Sequence, residues 1–213
     1  QLISKDNHEL DAYVSSPKIR EKGSIIVIQE IFGITSHIES VCQSFANEGY
    51  KTIAPALFDR FETNIILDYK QIEEGKAYKE RLDITDAMND IDAAISICDG
   101  PVAIVGYCFG GMLAHIAASE LKMNCAVSYY GGLIAENHLD KSPDCPVMYH
   151  FGEEDFAIPM EKVDLIKENY PEAIIHTYPN AGHGFNCEMR NDYHELSAET
   201  ALDRTLTFIA NHC

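Results

Sequence analysis

The chain has 213 residues, with 34 acidic against 16 basic residues and a formal net charge of −18 at pH 7. This length suits one domain over residues 1–213, and the negative charge argues against nucleic acid as a partner because no basic surface neutralises phosphates. The absence of a bilayer-length apolar run predicts no membrane partner, and seven cysteines without a C-x-x-C pair favour reduced thiols and a cytoplasmic location.

Short apolar strands alternate with amphipathic helices along the chain. Residues 24–29 predict a buried strand, and a helix follows in which Ser36 and Glu39 resemble a capping box and Gly49 supplies the stop. The further predicted strands cover 50–54, 102–105, 125–129, 147–151 and 174–178. The further predicted helices cover 83–98, a segment that begins at or just after Cys108, 160–169 and 193–210.

This alternation predicts an α/β fold with a mostly parallel central sheet flanked by helices. Residues 58–81 are polar and weakly periodic, so we expect a loop with short helical pieces there. Only a short connection separates the strands at 125–129 and 147–151, which leaves no room for a separate lid domain.

A candidate nucleophile lies between a strand and a helix. The strand at 102–105 runs into GYCFGG at 106–111 and then into an Ala-rich segment, which is the context of a nucleophile elbow with Cys108 at its apex. A helix N-terminus favours the reactive thiolate, and the Phe109 N–H could face a developing oxyanion. The alternative is a buried cysteine in an ordinary glycine-rich turn.

A carboxylate and a histidine follow the next strands. Asp155 lies in the loop after 147–151, and His183 lies between two glycines after 174–178. The order Cys108, Asp155, His183 is the nucleophile, acid, base order of α/β-hydrolases. Glu153 or Glu154 remains an alternative acid, Asp155 an alternative helix cap and His183 an alternative surface-loop residue. No spacing of His and Cys indicates a metal site, and no cofactor is predicted.

Several motifs in this order resemble the dienelactone hydrolase family, whose members carry cysteine in place of the serine of other α/β-hydrolases. The resemblance covers almost the whole chain. It rests on QEIFG at 29–33, APALF at 54–58, GYCFGG at 106–111, YYGG at 129–132, the Asp155 loop and GHGF at 182–185.

The resemblance implies further roles. Glu30 corresponds to a glutamate that contacts the thiol and helps it ionise, and the N–H groups of Ile31 and Phe109 correspond to the oxyanion hole. Arg60 falls where an arginine binds the substrate's carboxylate. Glu30 could instead be a polar strand end, and Arg60 a solvated loop charge.

One position departs from the family pattern. The family has a second carboxylate-binding arginine about four residues after the catalytic histidine, but this chain has Cys187 there, and Arg190 is out of register. The sequence therefore predicts a hydrolase of lactones or activated esters that uses a Cys-His-Asp triad on a small-molecule substrate, without identifying dienelactone as that substrate. A thioesterase or peptidase on the same triad and a non-catalytic binding or redox-sensing protein remain alternatives, and the oligomeric state is not predicted.

Overall fold

A computed structural model describes residues 1–213 and contains nine strands and seven helices. The strands are β1 Leu2–Ile3, β2 Glu9–Leu10, β3 Ala12–Ser15, β4 Gly23–Ile28, β5 Tyr50–Pro55, β6 Val102–Tyr107, β7 Cys125–Tyr129, β8 Val147–Gly152 and β9 Ile174–Tyr178. The helices are α1 Ser36–Asn47, α2 Ile72–Arg81, α3 Ile84–Ser96, α4 Phe109–Glu120, α5 Ile134–Asn137, α6 Met160–Asn169 and α7 Glu195–His212, with a 3₁₀ turn at Leu57–Arg60.

Seven of the strands form one sheet in the order β3-β5-β4-β6-β7-β8-β9. All of its neighbouring strands are parallel except β3, which pairs antiparallel with β5. The remaining pair, β1 and β2, forms a small antiparallel ribbon. Because β6 is the fourth of seven strands, its carboxyl end lies at the middle of the edge where parallel strands present their loops.

The core lies on both faces of this sheet. Every residue of β4, β6, β7 and β8 is buried, which fits their short, continuous apolar sequences. Helix α4 is buried from Phe109 to Ala118, so it is apolar all round rather than amphipathic. No helix is both long enough and apolar enough to cross a membrane.

The predicted α/β fold with a mostly parallel sheet and no separate lid is confirmed, and the predicted strands and helices lie within a few residues of their observed bounds. The prediction of a capping box formed by Ser36 and Glu39 is wrong. Helix α1 begins at Ser36, and the residue in the cap position is Thr35, whose side chain does not cap the helix. The Thr35 hydroxyl is instead 3.0 Å from the Tyr69 hydroxyl, so it is already engaged.

The region 58–81 is more ordered than the sequence predicted. Its second half forms the ten-residue helix α2, in which Gly75 is the one buried residue. A helix this exposed carries no apolar stripe, and so its periodicity is weak. Strand β3 was also not predicted, because it is a partly exposed edge strand of four residues.

Candidate active site

Cys108 occupies a strained turn between the end of β6 and the start of α4. Its backbone has φ 54° and ψ −114°, a conformation that a residue with a side chain seldom adopts. The neighbouring glycines make this turn possible. A Cβ on Gly106 would lie 1.9 Å from the Gly110 carbonyl oxygen, and a Cβ on Gly110 would lie 2.4 Å from the Ile28 carbonyl oxygen. The turn therefore has the geometry of a nucleophile elbow.

The structure brings Cys108, His183 and Asp155 together in one chain of contacts. The His183 Nε2 atom is 3.2 Å from the Cys108 Sγ atom, and the His183 Nδ1 atom is 2.8 Å from Asp155 Oδ2. The other oxygen of Asp155 accepts hydrogen bonds from the N–H groups of Ala157 and Ile158, at 2.8 and 3.1 Å. Asp155 thus holds the imidazole while its own loop holds Asp155.

The alternative acids point elsewhere. Glu153 and Glu154 are both exposed, whereas Asp155 is buried. Glu153 accepts a hydrogen bond from the Thr177 hydroxyl at 2.8 Å, away from the imidazole. Of the three carboxylates in this loop, Asp155 is the one that contacts His183.

The charges around His183 favour its protonated form. Burial alone would lower the pKa of His183, but the negative charge of Cys108 and the hydrogen bond to Asp155 outweigh it and raise this pKa to about 10. The Tyr130 ring packs against the imidazole edge to face, with 5.3 Å between ring centroids. This arrangement suits an imidazole that carries a proton beside the thiol.

A cavity of about 730 Å³ opens directly onto Cys108 and His183. Helix α2 and the residues just before it supply one wall, including Lys70, Ile72 and Lys79. The segment in which the sequence predicted a loop with short helical pieces is therefore part of the site.

Helix α2 reaches the catalytic edge through Gly75. A Cβ on Gly75 would lie 2.6 Å from the carbonyl oxygen of Ile31 and within 3.2 Å of its side chain. The helix backbone therefore rests directly on the loop after β4, a contact that only glycine permits without displacement.

Two residues that line the cavity have backbone N–H groups without a partner in the protein. Ile31 follows β4, and Phe109 is the first residue of α4; both line the cavity beside Cys108. Neither N–H donates a hydrogen bond within the chain. Unpaired N–H groups beside a nucleophile are suited to receiving an oxyanion.

Glu30 is paired with Arg190. The Glu30 carboxylate is 1% exposed, and its Oε1 atom is 3.3 Å from Arg190 Nη1. Burial raises the pKa of Glu30, and the charges of Arg190 and His183 oppose this rise. The second carboxylate oxygen, Oε2, is buried without a hydrogen-bond partner. The hydrogen bonds of Glu30 therefore involve Arg190, and those of the Cys108 thiol involve His183.

Arg190 is out of register with the family's second arginine in the sequence, but the structure places it at the cavity. Two successive turns fold the loop back: the Cys187 N–H donates to the Gly184 carbonyl at 2.9 Å, and the Arg190 N–H to the Cys187 carbonyl at 3.0 Å. Arg190 consequently reaches the cavity and Glu30, while Cys187 is buried. The position of Arg190 relative to the site could not be judged from the number of residues after His183, because the loop is coiled rather than extended.

The structure contradicts the placement of Arg60 as a substrate-binding residue. Its guanidinium lies 2.6 Å from Asp6 Oδ2 and 2.7 and 2.9 Å from the two carboxylate oxygens of Asp90, with Asp86 at 3.4 Å. Arg60 does not line the cavity that contains Cys108. Three aspartates hold this arginine, so its role is structural.

No group of three or more histidine, cysteine, aspartate or glutamate side chains is arranged to hold a metal ion. The cavity-lining residues also include no glycine-rich phosphate cradle.

Comparisons with known proteins agree with one another. The family model described as "Dienelactone hydrolase family" matches residues 10–213. A carboxymethylenebutenolidase of Pseudomonas putida is 32% identical, over 98% of this chain and 94% of its own. A crystal structure of a provisionally assigned dienelactone hydrolase from Klebsiella pneumoniae superposes with a TM-score of 0.85 and 29% identity, covering 99% of this chain and 97% of that one.

A more distant structure shares the fold alone. It is a dienelactone hydrolase-like promiscuous phosphotriesterase from metagenomic libraries, 17% identical, with a TM-score of 0.79. It covers 99% of this chain and 96% of its own.

Proposed function

Because the chain belongs to the dienelactone hydrolase family and is a carboxylic ester hydrolase, we propose that it cleaves a lactone or activated ester through Cys108, His183 and Asp155. The observation that carries this proposal is the continuous contact from the Cys108 thiol through His183 to Asp155, at 3.2 and 2.8 Å. The substrate is a small molecule that enters the cavity beside Cys108.

In the first half of the reaction, the Cys108 thiolate attacks the scissile carbonyl carbon. The N–H groups of Ile31 and Phe109 stabilise the oxyanion of the tetrahedral intermediate. The intermediate collapses with cleavage of the C–O bond, and the imidazolium of His183 gives its proton to the leaving oxygen. A thiolate leaves the tetrahedral intermediate more readily than a strongly basic alkoxide does. The favoured substrates are therefore enol lactones and enol or aryl esters, whose leaving groups are less basic.

The second half follows from the charges around His183. Acylation neutralises Cys108 and so removes the largest influence that raises the pKa of His183, while burial still lowers it. The imidazole then serves as a base for water, which attacks the acyl-cysteine and releases the acid. One residue thus acts as an acid in the first step and as a base in the second.

Arg190 provides the positive charge for an anionic substrate. It lines the cavity, and its pairing with Glu30 uses one nitrogen at the rather long distance of 3.3 Å. A substrate carboxylate that bound Arg190 would compete with Glu30 for the guanidinium. The freed Glu30 carboxylate would then be available near the thiol, the role that the family resemblance implies for it.

The central experiment traps the covalent intermediate. Wild-type protein mixed with an aryl ester and quenched in acid should gain the mass of one acyl group, located on Cys108 by peptide mass spectrometry. Cys108→Ala provides the control. An acyl group on a different residue, or rapid turnover by Cys108→Ala, would overturn the assignment of the nucleophile.

A second experiment separates the two arginines. Arg190→Met should lower kcat/KM for a carboxylated lactone by about 10- to 100-fold, because charge-assisted hydrogen bonds are lost, and should affect its methyl ester much less. Arg60→Met should lower the free energy of unfolding while preserving the ratio of the two kcat/KM values. Equal losses on both substrates in Arg190→Met would mean that Arg190 only balances the charge of Glu30.

A further inference from the structure

The cavity has two chemically different walls, on opposite sides of Cys108. Helix α2 and the segment before it follow β5, on one side of the central strand β6. They contribute Ile72 and five charged residues, Lys70, Lys76, Lys79, Glu73 and Glu74, of which Lys76 and Glu73 pair at 2.7 Å. The loops after β7 and β8 lie on the other side, and they contribute Leu133 and Phe156. The strand order thus sets charged side chains, with one more lysine than glutamate, on one side of the nucleophile and the apolar Leu133 and Phe156 on the other.

The apolar wall is unusually exposed. The Phe156 side chain is 87% exposed and Leu133 is 38% exposed, although both are large apolar residues at the edge of a cavity. Large apolar groups left in water at a pocket mouth indicate a surface that a ligand covers.

Backbone contacts hold both side chains in these positions. Phe156 lies between Asp155 and the N–H groups of Ala157 and Ile158, both of which bond to the Asp155 carboxylate. Leu133 has φ 66°, a left-handed conformation that is costly for leucine, at the start of the short helix α5. The catalytic acid therefore fixes the loop that presents Phe156.

We propose that the natural substrate carries an extended apolar group, aliphatic or aromatic, on the side of its scissile carbonyl opposite its negative charge. This inference rests on the proposed function and adds the substrate class. A cavity of about 730 Å³ has room for such a molecule, well beyond a single small lactone ring. The apolar group would cover Phe156 and Leu133, and the anion would face the lysines and Arg190.

The test uses aryl esters that vary independently at the two ends. Acetate and hexanoate esters of 4-hydroxybenzoic acid carry a charged leaving group, and the same esters of methyl 4-hydroxybenzoate are neutral with similar activation. For wild type we expect kcat/KM to rise at least about tenfold from acetate to hexanoate, because each buried methylene contributes up to about fourfold. We also expect the charged leaving group to be preferred.

Variants assign each effect to its wall. Phe156→Ala should reduce the hexanoate-to-acetate ratio to about a third of the wild-type value or less, and Lys79→Met should reduce the preference for the charged leaving group without changing that ratio. Leu196→Ala is the matched control, since Leu196 is 70% exposed and lies outside the cavity. It should preserve both ratios.

The possible failures are distinguishable. A hexanoate-to-acetate ratio near one in wild type, or a ratio that Phe156→Ala leaves unchanged, would overturn the substrate class while Cys108-dependent hydrolysis of the acetates still supported the proposed function. A ratio that Leu196→Ala lowers as much as Phe156→Ala would also overturn it. Wild type that hydrolyses none of the esters and forms no acyl-cysteine would overturn both proposals.

Discussion

Two largely enclosed histidines, each with hydrogen-bond partners at both ring nitrogens, have pKa values shifted in opposite directions. His183 contacts Cys108 and Asp155, and its pKa is raised to about 10. His115, inside α4, contacts the Tyr149 hydroxyl at 2.7 Å and the His138 carbonyl at 3.1 Å. Burial lowers the pKa of His115 to about 4, and the hydrogen bond to the His138 carbonyl does not offset it.

The difference lies in the charge of the partners rather than in burial. A neutral hydroxyl and a carbonyl satisfy the imidazole of His115 without stabilising its cation, so it stays neutral and joins a helix to the sheet. At His183 the partners are a thiol and a carboxylate, and they make the same ring a carrier of protons. Sequence context separates the two cases in part, because His183 lies between two glycines after a strand whereas His115 lies within an apolar helix.

Removal of Cys108 should have the largest effect on the difference in pKa between His183 and His115. Cys108→Ala should abolish hydrolysis, by at least about 10⁴-fold in kcat/KM, and should also lower the pKa of His183 towards or below its ordinary value. The thermal midpoint should change little, because the side chain lies at a strained turn. Ester kinetics, NMR titration of the imidazole and calorimetry measure the three effects. A His183 pKa unchanged in this variant would contradict the electrostatic explanation.

Neutralising the other partner should have a smaller effect. Asp155→Asn retains an oxygen for the N–H groups of Ala157 and Ile158 but removes the charge beside His183. We expect kcat/KM to fall by about 10²-fold, less than for His183→Ala, and the pKa of His183 to fall as well. Glu153→Gln is the matched control, because Glu153 is exposed in the same loop. A larger loss in Glu153→Gln than in Asp155→Asn would move the acid to Glu153.

The neutral histidine gives the smallest effect, and it appears in stability rather than in rate. Between pH 6.5 and about 4 the unfolded chain binds a proton at His115 and the folded chain does not, so the free energy of unfolding falls as the pH falls through this window. His115→Gln should remove a slope of about 1.4 kcal/mol per pH unit there. Urea unfolding at pH 7, 6 and 5 measures it, and an unaltered slope would show that His115 is protonated in the folded state.

The nucleophile loop was predictable because its signals are local. A strand, two glycines around Cys108 and a helix are read directly from adjacent residues, and the structure shows why neither Gly106 nor Gly110 can carry a Cβ. The order of strands then brings Asp155 and His183 to the same edge of the sheet. Because the strands are parallel, the residues that follow neighbouring strands lie close together at one edge of the sheet.

The positive charges of the site were not predictable in this way. Arg190 depends on two turns within its loop, and counting residues assigned its position to Cys187. Arg60 has the right chain position but lies next to three aspartates distant in sequence, Asp6, Asp86 and Asp90. Both outcomes are set by tertiary contacts that a short motif does not contain.

The contact of Gly75 with Ile31 has a consequence for how new specificities could arise in this scaffold. The helix approaches this loop closely at Gly75, and most of its other positions are exposed, with Tyr78 as an exception that packs against Phe58 and Phe61. Selection, natural or in a laboratory library, can therefore vary Lys76 or Lys79 with little loss of stability. The loop after β4 keeps its shape as long as the glycine remains, so the preferred substrate can change while the arrangement of Cys108, His183 and Asp155 is retained.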